Sequence, residues 1–151
     1  MYFEDLTLYS YYLSCTFNDV KNIGWLDQKH KFKVGEAPEG FCTKLNEILV
    51  GTSSFSSEVN LIRGIHPCNF CGSGQQVDPS SKIGSCEIWI PSINEGAYFA
   101  SPSQIIHYVE KHNYLPPQKF IESVMELDLS SSFNGQDLYD KLIREAASNA
   151  G

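Results

Sequence analysis

The clearest periodicity in the chain follows Pro38. Phe41, Leu45, Ile48 and Leu49 recur at helical spacing, Lys44, Asn46 and Glu47 fall on the other side, and Gly51 ends the run. That pattern predicts an amphipathic helix with one face against a core. Two shorter apolar runs read as strands: Val59-Asn60-Leu61-Ile62-Arg63-Gly64-Ile65, and Cys86-Glu87-Ile88-Trp89-Ile90, which Pro91 ends. Asn94-Glu95-Gly96 predicts a hairpin turn with Tyr98-Phe99 as the returning strand. Ser101 and Pro102 have the chemistry of a helix cap and first helical residue, ahead of Ile105, Ile106 and Val109, so a second helix is expected from there to about Asn113.

Tyr114-Leu115-Pro116-Pro117 breaks that helix and restarts another, with Phe120, Ile121, Val124, Met125 and Leu127 as its apolar face. Ser130 to Ser132 form a linker, and Asn134 caps a last helix that turns Leu138, Leu142 and Ile143 inward. Residues 2–17 mix aromatic and polar side chains without clean periodicity, which leaves an irregular arm and a short strand both open. The sum is an α+β fold, a small antiparallel sheet flanked by three to four helices, in a single domain over 1–151.

Composition narrows the function. Apolar residues make up 42% and charged residues 19%, as in a folded protein and unlike a disordered one. No apolar run approaches the ~20 residues of a membrane span, and the acidic, aromatic N-terminus lacks the pattern of a secretory signal. A formal charge of -7 argues against nucleic acid as the partner, and the segment 101–113 offers no arginine to read bases. Five cysteines with no export signal favour a reducing, cytoplasmic setting in which clustered thiols bind metal or do redox work. Cys15 and Cys42 read as buried small hydrophobes.

The most specific chemistry lies in His66-Pro67-Cys68-Asn69-Phe70-Cys71-Gly72. Two cysteines with two residues between them suit a tight turn that aims both sulfurs at one ion, and Gly72 relieves the backbone behind them. A closed zinc site needs two further ligands. His107 and His112, with four residues between them on the helix after Ser101, supply them within the spacing that zinc sites use. The expected ligand set for a structural Zn2+ is therefore Cys68, Cys71, His107 and His112, with His66 or Cys86 as possible replacements for one histidine. Strand, knuckle, strand and histidine-bearing helix resemble an expanded Cys2His2 zinc finger, and its metal would pin the helix to the sheet. A polar stretch follows Cys71, a poor opening for the helix that thioredoxin-like chemistry needs, and a c-type haem motif lacks its histidine. His30, among three lysines, reads as a solvated turn residue.

The chain resembles a family of small, mostly uncharacterised bacterial proteins. The resemblance covers roughly residues 2–127. It rests on Asn22-x-Gly24-Trp25-Leu26-Asp27-x-x-His30, Gly64-x-His66-x-Cys68-x-x-Cys71-Gly72 and Glu87-Ile88-x-Ile90-Pro91. It continues in Tyr98-x-x-x-Pro102-x-x-Ile105-x-His107-Tyr108-Val109-x-x-His112-x-Tyr114-x-Pro116-Pro117-x-x-Phe120. The family lends a pattern and no established activity. It implies the knuckle and both helix histidines, with residues 1–127 as the family-like core. Cys86 and an additional C-terminal helix, 133–149, stand as additions of this chain.

The leading expectation is a non-enzymatic, soluble binding protein with an acidic surface for a protein partner. One concrete form is an immunity protein that neutralises a basic toxin. The alternative is a small zinc- or thiol-dependent hydrolase. There Cys68, Cys71 and one histidine would hold a metal beside Glu110 or Glu87 as base, or Cys86 would pair with a histidine. Neither an H-E-x-x-H nor an H-x-E…P-C-x-x-C pattern is present to support it. The oligomeric state is left open.

Overall fold

The computed structural model describes residues 2–11, 15–71, 75, 78 and 80–150; of these, the side chains of Tyr11, Cys15, Asn149 and Ala150 are not described. The expectations for Gly72 and for burial of Cys15 lie outside what is described. The elements in chain order are β1 (Leu8–Tyr11), β2 (Cys15–Asn22), α1 (Phe41–Val50), β3 (Phe55–Ser56), β4 (Glu58–Val59), β5 (Glu87–Pro91), β6 (Tyr98–Pro102), α2 (Ile105–His112), α3 (Gln118–Glu126), β7 (Phe133–Asn134) and α4 (Gly135–Ala150). Among the described residues, no helix is long and apolar enough to cross a membrane.

The fold is α+β, and its main sheet is mixed. Strand order is β1-β2-β6-β5-β4, with β2 parallel to β6 and the other pairs antiparallel; β3 and β7 form a small parallel pair of their own. The antiparallel expectation is thus corrected at β2–β6. Hairpin connections force antiparallel pairing only between strands close in sequence, and β2 reaches β6 from far upstream, with Val20 opposite Tyr98 and Asn22 opposite Ala100. β2 itself escaped the sequence reading. It carries Asn18 and Asp19, both poor strand formers, and a register irregularity in its pairing with β1 breaks the period-two pattern.

Alternation along β5 divides the core. Ile88 and Ile90 face a cluster built with Phe41, Leu45, Ile48 and Leu49 of α1, Ile105, Ile106 and Val109 of α2, and Phe120, Ile121 and Val124 of α3. Trp89 faces the other way, into an aromatic cluster with Tyr9, Phe17, Val20, Val59, Ala100 and Tyr139, over which α4 lies. Helices therefore cover both faces of the sheet, three on one and α4 on the other. The approach of α4 is close enough that a Cβ on buried Gly135 would sit 2.8 Å from Val59 Cγ2 and 3.3 Å from Trp89 Cβ. Asn134 caps this helix, its side chain accepting the Asp137 amide at 2.9 Å. Tyr139 is buried, whereas Leu138, Leu142 and Ile143 pack in half-buried.

Two other boundaries shift, and one side chain expected inward is exposed. The helix over 41–50 forms as expected. The strand expected over 59–65 pairs only at Glu58–Val59, because Asn60 adopts a left-handed φ of 54° and turns the chain away. From there to β5 the chain runs as one long connection, 60–86, with no regular element among its described residues. Ser101 and Pro102 end β6 instead of opening α2: Pro102 pairs opposite Glu87 at the strand terminus, where its missing N–H is tolerated, and α2 begins at Ile105. Met125 is exposed on α3 rather than inward.

Candidate metal centre

The long connection 60–86 is brought back onto the body of the protein near its middle. His66 donates its backbone N–H to Gly84 O at 2.8 Å, and Gly84 in turn donates its N–H to Ser103 Oγ at 2.8 Å. Only glycine fits at 84: its φ is +87°, and a Cβ would lie 2.8 Å from the His66 carbonyl oxygen. This pairing delivers the knuckle, residues 66–71, beside the C-terminal half of α2, which carries His107 and His112 one and a half turns apart.

Four donor atoms converge there. The metal-ligand atoms of Cys68, Cys71, His107 and His112 all lie within 4.8 Å of one another. Cys71 Sγ is 3.3 Å from His107 Nε2 and 3.2 Å from His112 Nε2, Cys68 Sγ is 3.3 Å from His112 Nε2, and the two Nε2 atoms are 3.3 Å apart. A tetrahedron with Zn–S near 2.3 Å and Zn–N near 2.0–2.1 Å has S···N edges of about 3.5 Å and an N···N edge of about 3.3 Å. The four edges at 3.2–3.3 Å match the N···N edge of such a site and are slightly shorter than its S···N edges. Cys68 is fully buried and the other three are half-buried. The cluster could hold a metal ion through two thiolates and two imidazoles.

Local electrostatics follow from this placement. Burial pushes the Cys68 thiol up, while the amides of Phe70 and Cys71 point at its sulfur and pull the other way. Amides aimed at a cysteine sulfur favour its thiolate form, the form that ligates metal. Burial, then the neighbouring His112 and Lys111, lowers His107, so this imidazole favours its neutral, ligand form. Phe70 packs between the ring of His112, at 5.2 Å, and those of Tyr108 and Phe32, and so braces the knuckle against α2 and against the basic segment 29–33.

The remaining candidates lie elsewhere. The His66 residue is exposed, and its hydrogen bonds run through its backbone. Cys86 lies against the Lys82 carbonyl, its thiol pushed up to about 11 by burial, and it stands outside the four-residue cluster. Cys42 is half-buried beside the α1–α3 core, with its thiol raised by burial and then by Glu110. His30 is exposed, as expected, stacked on Tyr2 and bonded to Asp27 at 2.7 Å. Glu87 accepts hydrogen bonds from Tyr9 OH at 3.0 Å, Trp89 Nε1 at 3.1 Å and Asn60 Nδ2 at 2.8 Å. It therefore lies on the α4 side of the sheet, away from the four donors on the α2 side.

Two residues that no sequence signal singles out complete the surroundings. Gln75 accepts the Cys68 amide, and its carboxamide is paired with that of Gln104 at the start of α2. No spacing or motif marks a glutamine for such a role.

No curated protein and no solved structure matches the chain. A family model described as a domain of unknown function, DUF7919, matches residues 1–125, a span that contains all four converging donors and ends before α4. With most of its length matched, the chain belongs to this family.

Proposed function

We propose that this chain is a non-enzymatic binding protein in which a structural Zn2+, held by Cys68, Cys71, His107 and His112, staples the long connection 60–86 to α2. The observation that carries the reading is the convergence of two sulfurs and two Nε2 atoms within 4.8 Å of one another. Borderline-soft thiolate and imidazole donors in this geometry suit zinc, and four protein ligands fill it. Catalytic zinc keeps a position open with a carboxylate nearby. Here Glu87 is on the other side of the sheet, and Glu110 is exposed on the flank of α2 that faces Cys42. The hydrolase reading therefore has little to work with.

Irregular connections as long as 60–86 are uncommon in compact domains unless they bind something. This one exposes Leu61 and Ile62, at 56% and 42%, just ahead of the stapled knuckle. A zinc ion would hold that surface in one shape for a protein partner. The formal charge of -7 suits a basic partner, such as a cationic toxin, through electrostatic steering.

Elemental analysis of protein purified without added metal tests the site, with thiol titration before and after chelation. One zinc per chain, with Cys68 and Cys71 shielded until the chelator acts, is the expected result. A metal-free chain with both thiols freely reactive sinks the zinc reading. Cross-linking in cells tests the partner: recovery of an acidic protein, or of none, in place of a basic one whose capture fails at high salt, removes the partner reading and leaves the zinc site untouched.

A further inference from the structure

We infer that Gln75 and Gln104 form a positioning bridge that holds the knuckle against α2 before the metal arrives and so sets the affinity of the site. The inference rests on the zinc reading above and concerns residues that do not themselves touch the ion. Gln104 stands at the N-cap of α2, three residues before His107, and is 4% exposed. Its Nε2 donates to the His66 carbonyl at 3.1 Å and to Gln75 Oε1 at 3.2 Å, while Gln75 Nε2 donates back to Gln104 Oε1 at 3.2 Å. Gln75 Oε1 also accepts the Cys68 N–H at 2.5 Å.

The consequence comes from the cost of burying an amide. A buried carboxamide left without partners carries the full desolvation cost of its polar groups. Every hydrogen bond of the Gln104 side chain goes to the connection that carries the cysteines. Burying Gln104 at the start of the histidine-bearing helix therefore draws His66 and Gln75 to it, and Gln75 fixes the backbone of Cys68. The bridge ties one ligand-bearing segment to the other by contacts that need no ion. Binding then requires less ordering of the loop, which raises affinity through pre-organisation.

Co2+ titration of the metal-free full chain followed by competition with Zn2+ tests this, using Gln104→Met, Gln75→Met and the double variant. Methionine keeps the volume and removes the amide. Each single variant is expected to weaken Co2+ binding by about 10–100-fold, the range for partners of metal ligands, with the thiolate and ligand-field bands of the Co2+ complex unchanged. Because the two amides act as one pair, the loss in the double variant is expected to be smaller than the product of the single losses. Unchanged affinity in both single variants, or single losses that multiply in the double variant, overturns the bridge. Gln75 is half-buried in the connection, so its variant keeps the test alive if Gln104→Met disturbs the core. A wild-type chain that takes up no Co2+ fails the zinc reading itself, which is a different result from wild-type uptake with unaffected variants.

Discussion

With zinc bound as proposed, its removal should loosen the knuckle, which the glutamine bridge still tethers to α2, and leave the rest of the fold standing. Ile105, Ile106 and Val109 bury α2 in the core without help from the ion. At about 1.5–3 kcal/mol each, they contribute roughly 5–9 kcal/mol to holding that helix. The knuckle buries less: Cys68 alone is fully buried there, with Phe70 and Cys71 packed partly against the core. Ordering the backbone of residues 66–71 costs about 1–2 kcal/mol per residue. Against that, half-buried Phe70 returns at most about 1.5–3 kcal/mol and the glutamine contacts about 1 kcal/mol per hydrogen bond. Zinc binding, worth about 10–16 kcal/mol in finger peptides, is large enough to close that gap. Hydrogen exchange read by mass spectrometry, with and without a chelator, measures the difference. Residues 64–71 are expected to lose protection while β5, β6, α1 and α3 keep theirs, and far-ultraviolet dichroism should change little. Cooperative loss of protection through the whole chain would refute the reasoning, since the ion would then carry the core as it does in small fingers. Unaltered protection at 64–71 would refute it from the other side.

Other consequences can be measured directly. Burial raises the Glu87 carboxyl, so the stability it contributes is present in full below its unfolded value of 4.5 and is lost as pH rises through its higher folded value. Glu87→Gln should remove that part of the pH dependence, visible as a flatter melting temperature from acid to neutral pH than in wild type; identical slopes would contradict the assignment. Gly135→Ala should lower stability by about 1–3 kcal/mol in thermal or urea melts, because its Cβ would press on Val59 and Trp89, and a neutral result would mean that α4 shifts freely. Tyr114→Phe deletes the 2.7 Å bond from a fully buried hydroxyl to Asp5, whose other oxygen accepts the Gly24 amide. A loss of about 1.5–3 kcal/mol in a urea melt is expected, and a change within error would show that Asp5 is satisfied by water.

What the sequence determined by itself was local. Periodic apolar faces, turn residues and prolines placed α1, the β5–β6 hairpin, α3 and α4, because each is decided within about ten residues. The spacing of Cys68 and Cys71, and of His107 and His112, named four side chains that the fold brings within 4.8 Å. A two-residue gap in a turn aims both sulfurs one way, whereas five positions along α2 start the two imidazoles about 140° apart, and their Nε2 atoms meet only around the knuckle. That the two pairs face each other was decided by tertiary structure. The Gly84–His66 approach and the Gln75–Gln104 bridge set it, and neither leaves a periodic trace.

The same holds for the parallel pairing of β2 with β6 and for the assignment of Ser101 and Pro102 to a strand, where local cap chemistry yielded to the pairing with β5. It holds also for Glu87, which sequence alone could set beside the metal as a base. Alternation along β5 puts it on the opposite face with Trp89. Which face of a strand looks at which helix is fixed only when the sheet packs, and that set Glu87 away from the four donors.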